Sequence, residues 1–471
     1  MTHLTRRRFL AASAAGLAGA AAAVSLPLAS FAQEKGERPA PPPEGVTVLN
    51  PQGRVPVSLI IDDSTCLVNL NRFAVPQFAE AWRGRQGPDF TKYNWRDWPH
   101  EIPDSFVRKF AEWCHDNGVK GKYSVVPYPA CVGRIDRVLP GWTQSQLDQS
   151  IALVRDLVTP DWDIHPEMVT HTWVIDTKTG HPFPERSPKF QENWEWSVNR
   201  SADELSDYLS YALTILKNVG LPADGVTTPG GFGNRSMPQL AAATLQSVRS
   251  VFGPQPGLIP HFFRNLYDKG DESVAPRVLL ASDLDTDDPK CVVSVIGCTG
   301  DWTGGWDNST PVGANAFITQ DLQQGRMVDV ISRGQPACMV CHWTGIHFNG
   351  QELGFKIFQE VVSRLRNRYG NHLKWMKLSE ISRYWAAREL TTLQWSDARS
   401  GLKFQAPFAC PGFTFRVPLS ATPAPEGLKE VTNAEQLRPG TYIKDPKSLT
   451  CCIDLPRGKS QLRLFKSEGT R

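Results

Sequence analysis

The chain has 471 residues, and its 51 Lys and Arg against 48 Asp and Glu leave a formal charge of +3. The basic residues are dispersed, with no long basic run beyond the N-terminus, so composition gives no support for nucleic-acid binding. Beyond the first thirty residues no apolar stretch is long enough to cross a bilayer, so no stable membrane anchor is expected.

The chain opens with Thr5-Arg6-Arg7-Arg8-Phe9-Leu10, runs through an Ala/Gly/Leu stretch to about Leu28, and reaches small residues at Ser30-Phe31-Ala32. This reads as a twin-arginine signal over 1–32, with the translocation machinery as partner and a periplasmic or secreted destination. That route carries folded cargo, often with a metal or cofactor already installed. Residues 33–45 are Pro-rich and charged, as suits a linker. What remains, about 440 residues, exceeds one ordinary core, so a large domain over 46–388 and a small one over 389–471 are expected.

From Val46 onward, short β-branched runs alternate with longer segments of helical period. Strands are predicted over 57–62, 122–127, 224–228, 291–296 and 337–341, with a strand-like approach to His165. Helices are predicted over 104–117, 143–157, 202–218 and 351–369, three of them closed by Gly118, Gly220 and Gly370. Strand and helix in alternation argue an α/β fold with parallel strands, and their number favours a barrel. After about Leu390 the helical period stops, and short runs between Pro/Gly turns indicate a small β domain.

Ten cysteines are present, and an oxidising compartment permits disulfides among them. Cys338-Met-Val-Cys341 has the CxxC spacing but lies in an apolar run without a second pair, which reads as buried strand thiols rather than zinc or redox chemistry.

Three blocks carry chemistry. Asp62 and Asp63 end an apolar strand, where a parallel α/β barrel gathers its active face. Adjacent residues can divide the work, one binding a metal while the other handles protons. The second block, Trp162 to Trp173, holds His165 and His171; two imidazoles and an aspartate make the three-ligand, open-position site of a hydrolytic zinc. In the third, Cys341-His342-Trp-Thr-Gly-Ile-His347, His342 terminates a strand and is suited to protonate a leaving group; His347 follows in the loop as either participant or bystander.

In this order the blocks resemble the polysaccharide deacetylase family, carbohydrate esterases with a NodB-type domain, over roughly residues 50–385. Ile60-Ile61-Asp62-Asp63-Ser64 is similar to the family's first motif at the paired aspartates. The resemblance implies a distorted (β/α) barrel with Asp62 as general base, Asp63, His165 and His171 as ligands of a divalent metal (zinc, or cobalt or nickel), and His342 as general acid. The family spaces its two histidine ligands four apart, whereas His165 and His171 are six apart. Thr228-Pro229-Gly230-Gly231 resembles the family's Pro/Gly loop without its base-orienting arginine, for which Arg235 is the nearest substitute. Pro229 and Gly230, with Trp302 and Trp306 offering flat faces for sugar rings, are the expected substrate contacts.

The implied activity is removal of acyl groups, acetyl above all, from a carbohydrate by metal-activated water. A glycoside hydrolase with two carboxylates and no metal, and a catalytically inactive carbohydrate-binding barrel, are the alternatives.

Overall fold

The computed structural model describes residues 39–255, 257–396, 400–419 and 424–464. The expected signal over 1–32 lies outside them, as does part of the linker. No helix among the described residues is long and apolar enough to cross a membrane.

The fold is mixed α/β with several sheets, and among the described residues the two sheets that carry the site are built largely of parallel strands. β1 (Val55–Asp62), β2 (Gly121–Ser124) and β3 (Trp162–His165) pair in that order, and β7 (Ala337–His342) lies on β1. A second sheet orders β4 (Gly225–Thr227), β5 (His261–Leu266) and β6 (Lys290–Gly297), with Arg277–Ser282 antiparallel at its edge. The two sheets touch twice. A parallel bridge joins Glu167 to Thr227, and the Cys298 amide donates to the Cys338 carbonyl at 2.8 Å. β1 is buried from Pro56 to Asp62, as befits an apolar run covered on both faces.

The four helices predicted from the periodic pattern form close to their expected bounds. Ala202–Asn218 begins with a full capping box, Ser201 and Glu204 each satisfying the other's backbone amide, and stops at Gly220 with φ +76°. It packs Leu205, Leu209, Leu213 and Leu216 into the main core. The predicted helix over 143–157 is regular only for Gln144–Leu153 and continues as a π turn through Val158. The helix Met237–Phe252 and strand His261–Leu266 have no counterpart among the predicted elements.

From Thr392 the described elements are strands and one short 3-10 turn, arranged in a five-stranded and a three-stranded sheet. Thr47–Val48 pairs with Cys410–Pro418, so the first described strand joins the C-terminal sheet. Phe404, Phe413 and Phe415 of this region share one core cluster with Val293, Val295 and Val340 of the parallel strands. All ten cysteines are free thiols, and nine of them, Cys338 and Cys341 included, are buried.

Candidate active site

The ends of β1 and β7 face each other in register, with His342 directly across from Asp62. Parallel neighbours stand about 4.8 Å apart, so the expected base and acid share one level at the strand ends. Asp62 is 6 % exposed, and the side chain of Lys122, wholly buried on β2, reaches it: Nζ donates to Asp62 Oδ1 at 2.5 Å, to the Ile61 carbonyl at 2.8 Å and to Ser124 Oγ at 2.8 Å. Burial pushes the Asp62 carboxyl up to about 6 against the pull of Lys122. Arg235, expected to orient this base, is exposed; Lys122 makes the contact instead.

Beside Asp62 stands a buried trio of possible ligand groups, Asp63, Glu167 and His171. The expected ligands Asp63, His165 and His171 are not brought together: His165 ends β3 with its ring in a different group, and Glu167, two residues further on, stands with Asp63 and His171 instead. Glu167 is four residues from His171. His171 Nε2 lies 2.8 Å from Asp63 Oδ1 and 3.4 Å from Glu167 Oε1.

Backbone conformation holds the trio in place. Asp63 and His171 both adopt left-handed φ, +61° and +64°, a conformation that costs a residue with a Cβ about 1 kcal/mol or more. Carboxylates pin both amides. The Asp63 N–H donates to Glu167 Oε2 at 2.8 Å, and the His171 N–H to Glu192 Oε2 at 2.5 Å. Glu192 also receives the amides of Val169 and Thr170 and the Tyr208 hydroxyl. Burial pushes its carboxyl up to about 7.

The charges in the trio are strongly coupled. Burial would raise the Asp63 carboxyl, but His171 and then His342 overcome it and hold it well below the usual range. Burial would likewise lower His171, and the two carboxylates raise it well above the ordinary imidazole value. The trio therefore stabilises a positive charge at its centre, whether a proton on His171 or a cation. Asp63 Oδ1 is buried and, despite its 2.8 Å approach to His171, has no aligned hydrogen-bond donor. Asp63, Glu167 and His171, two carboxylates and one imidazole whose ligand atoms lie within 4.8 Å of one another, are a donor set that fits a divalent ion. Asp63 Oδ2 is held by Asn71 Nδ2 at 2.7 Å, which also donates to the Trp306 carbonyl and Thr344 Oγ1.

The acid side has a partner not singled out from sequence. Asp301 Oδ2 lies 2.8 Å from His342 Nδ1 and accepts the His342 amide at 3.0 Å. Burial would lower the His342 imidazole, yet Asp63, Asp301 and Asp62 push it up to about 10. Its side chain is 24 % exposed, so it has access to an incoming molecule.

The expected substrate residues divide. Trp306 is partly exposed, stacks edge-on with Tyr93 at 5.2 Å, and is tied to Asp63 through Asn71. Trp302 packs edge-on against Phe317 at 4.9 Å. Pro229 is buried and Gly230 exposed. Their loop reaches the trio indirectly: the Gly231 amide donates to the Asn193 carbonyl, and Asn193 Nδ2 donates to the His171 carbonyl. A Cβ on Gly230 would stand 2.6 Å from the Asn193 carbonyl oxygen, which explains the glycine there. His347 is buried and packs on Phe106, away from this polar group.

No family model matches the chain, and no curated protein is similar to it. Among solved structures it is similar to a Parabacteroides distasonis protein described as a candidate glycoside hydrolase/deacetylase, at 10 % identity over 78 % of this chain and 82 % of that one, with a TM-score of 0.38. So slight a likeness adds no weight to a functional assignment, which stands on the side chains described above.

Proposed function

We propose that this chain is an exported metal-dependent hydrolase that removes acyl groups from a carbohydrate. The observation that carries the reading is the convergence at one group of strand ends of a lysine-held carboxylate, a charge-coupled Asp63/Glu167/His171 trio and a carboxylate-held imidazole. The two contacts between the parallel sheets fit a distorted barrel whose C-terminal strand ends form this face.

Asp63, Glu167 and His171 would hold the ion, zinc by preference, with cobalt or nickel as substitutes. Such an ion supplies Lewis-acid polarisation of an acyl oxygen and acidification of water. Asp62 takes the proton of the attacking water, and Lys122 keeps its carboxylate aimed at the cleft. His342, held through Nδ1 by Asp301, donates a proton to the departing nitrogen or oxygen. Trp306 offers a flat face to a sugar ring, with Tyr93 supporting it.

The test is release of acetate from chitooligosaccharide and acetylated xylan, alongside metal content. Asp62→Asn is expected to keep the metal and lose activity; Asp63→Ala loses both. Full acetate release by either variant overturns the reading.

A further inference from the structure

At the seam where the two parallel sheets meet lies a second buried polar group that the proposed hydrolysis does not use. His165 ends β3 and His261 begins β5; both rings are fully buried, and their Nε2 atoms face each other at 3.0 Å. Asp163, 8 % exposed, and Asp224 complete a set whose ligand atoms all lie within 4.8 Å of one another. Asp163 Oδ2 is 4.0 Å from His261 Nε2.

We propose that Asp163, His165, Asp224 and His261 form a second, structural site for a divalent transition ion of the zinc class, which clamps β3 to the β4–β5 sheet. Two imidazole nitrogens bound tetrahedrally to zinc at about 2.0–2.1 Å stand roughly 3.3 Å apart, close to the separation here. Four ligands close the coordination sphere, as in structural sites, and two carboxylates with two neutral imidazoles balance a doubly charged ion.

Three further observations mark the group as built for a ligand. His261 Nδ1 lies 3.1 Å from the Ile259 carbonyl, which accepts its proton and leaves Nε2 a lone pair aimed at His165. Asp163 is oriented by the Ser379 amide at 2.6 Å and hydroxyl at 2.8 Å, at the start of the helix Leu378–Leu390. Gly225 lies against the pair: a Cβ there would sit 2.4 Å from His165 Nε2 and 2.7 Å from His261 Nε2, so only glycine leaves that space open.

The experiment is metal analysis of the full chain after equilibration with zinc and removal of loosely bound ion, with anomalous diffraction from wild-type crystals at the zinc edge. The wild type is expected to hold two equivalents, with one anomalous peak between His165 and His261. His261→Gln is expected to lose one equivalent and Glu167→Ala the other. A single equivalent lost only in Glu167→Ala, with no peak at the histidine pair, overturns the second site and leaves the proposed function standing. A single equivalent lost only in His261→Gln supports the second site while removing the metal from the proposed catalytic one. The diffraction measurement needs no variant, so failure of His261→Gln to fold leaves the test intact, and a chain with no zinc at the pair refutes the proposal.

Discussion

Asp301 holds His342 by two atoms at once, accepting its backbone amide at 3.0 Å and facing Nδ1 at 2.8 Å through a single carboxylate oxygen. The double contact fixes both the strand end and the ring, and the carboxylate favours the imidazolium. Asp301→Asn keeps the shape and removes the charge. Because the protonated ring is the active acid, losing that charge lowers its pKa, and the alkaline limb of the kcat/KM profile moves to lower pH. A loss of roughly ten- to hundredfold in kcat is expected for a partner that orients a catalytic group. An unmoved alkaline limb in Asp301→Asn would separate Asp301 from the acid.

The same reasoning sets the wild-type profile. Asp62 works ionised and His342 protonated, so activity rises as pH climbs through the titration of Asp62, which burial raises, and falls as His342, raised by its carboxylate neighbours, loses its proton. Asp62 and its neighbours titrate as a set, so the limbs belong to the group. Steady-state kinetics between pH 4 and 11 check the shape, and a profile flat from 4 to 7 removes Asp62 from the role of base.

Lys122 is the residue on which Asp62 depends. Lys122→Met fills the same volume but strands a buried carboxylate; removal of one partner of a buried pair costs about 3–5 kcal/mol. The acidic limb should also move up, since the cation that lowers the Asp62 pKa is gone. Denaturant midpoints and the pH profile report these separately. Asp62→Asn with Lys122→Met together should recover part of the stability without activity.

Much of this was written in the chain and some of it was not. The paired aspartates stand out because carboxylates at the end of an apolar strand have few structural uses, and His342 because it closes another such strand. Glu167, four residues from His171, is masked by His165 in the same block, because an imidazole is the more characteristic zinc ligand. His261 and Lys122 were hidden for a different reason: each sits inside a strand where period and composition show only a buried position, and their partners come from strands 60 and 96 residues away. These side-chain contacts, one between the paired strands β1 and β2 and one between the unpaired strands β3 and β5, are a property of the fold alone. The strand His261–Leu266 itself, HFFRNL, breaks the apolar pattern with His and Arg, which masks it.

Glu167 gives a test of ligand identity. Glu167→His rebuilds two imidazoles at a spacing of four and is expected to retain one zinc equivalent at the trio, whereas Glu167→Ala loses it; both variants remove the carboxylate that accepts the Asp63 amide. His165→Gln should leave that equivalent untouched. Metal content measured with the second site blocked by His261→Gln isolates the comparison. Loss of the ion from His165→Gln at the trio would restore the histidine first expected there.

Glu192 links the site to stability. Its carboxyl is pushed up to about 7 by burial, against an ordinary 4.5, so the folded chain keeps a proton that the unfolded chain has already released between those values. The fold therefore has its full contribution from this group below about pH 4.5 and loses it as pH rises through 7. Glu192→Gln cannot titrate. Its own unfolding free energy lacks that slope, so the wild type should lose about 2–3 kcal/mol relative to the variant across the interval, at about 1.4 kcal/mol per unit. Urea unfolding at pH 5 and pH 8 for both proteins measures the difference. An identical pH dependence in the two would mean that Glu192 stays ionised throughout, carried by the three amides and the Tyr208 hydroxyl that donate to it.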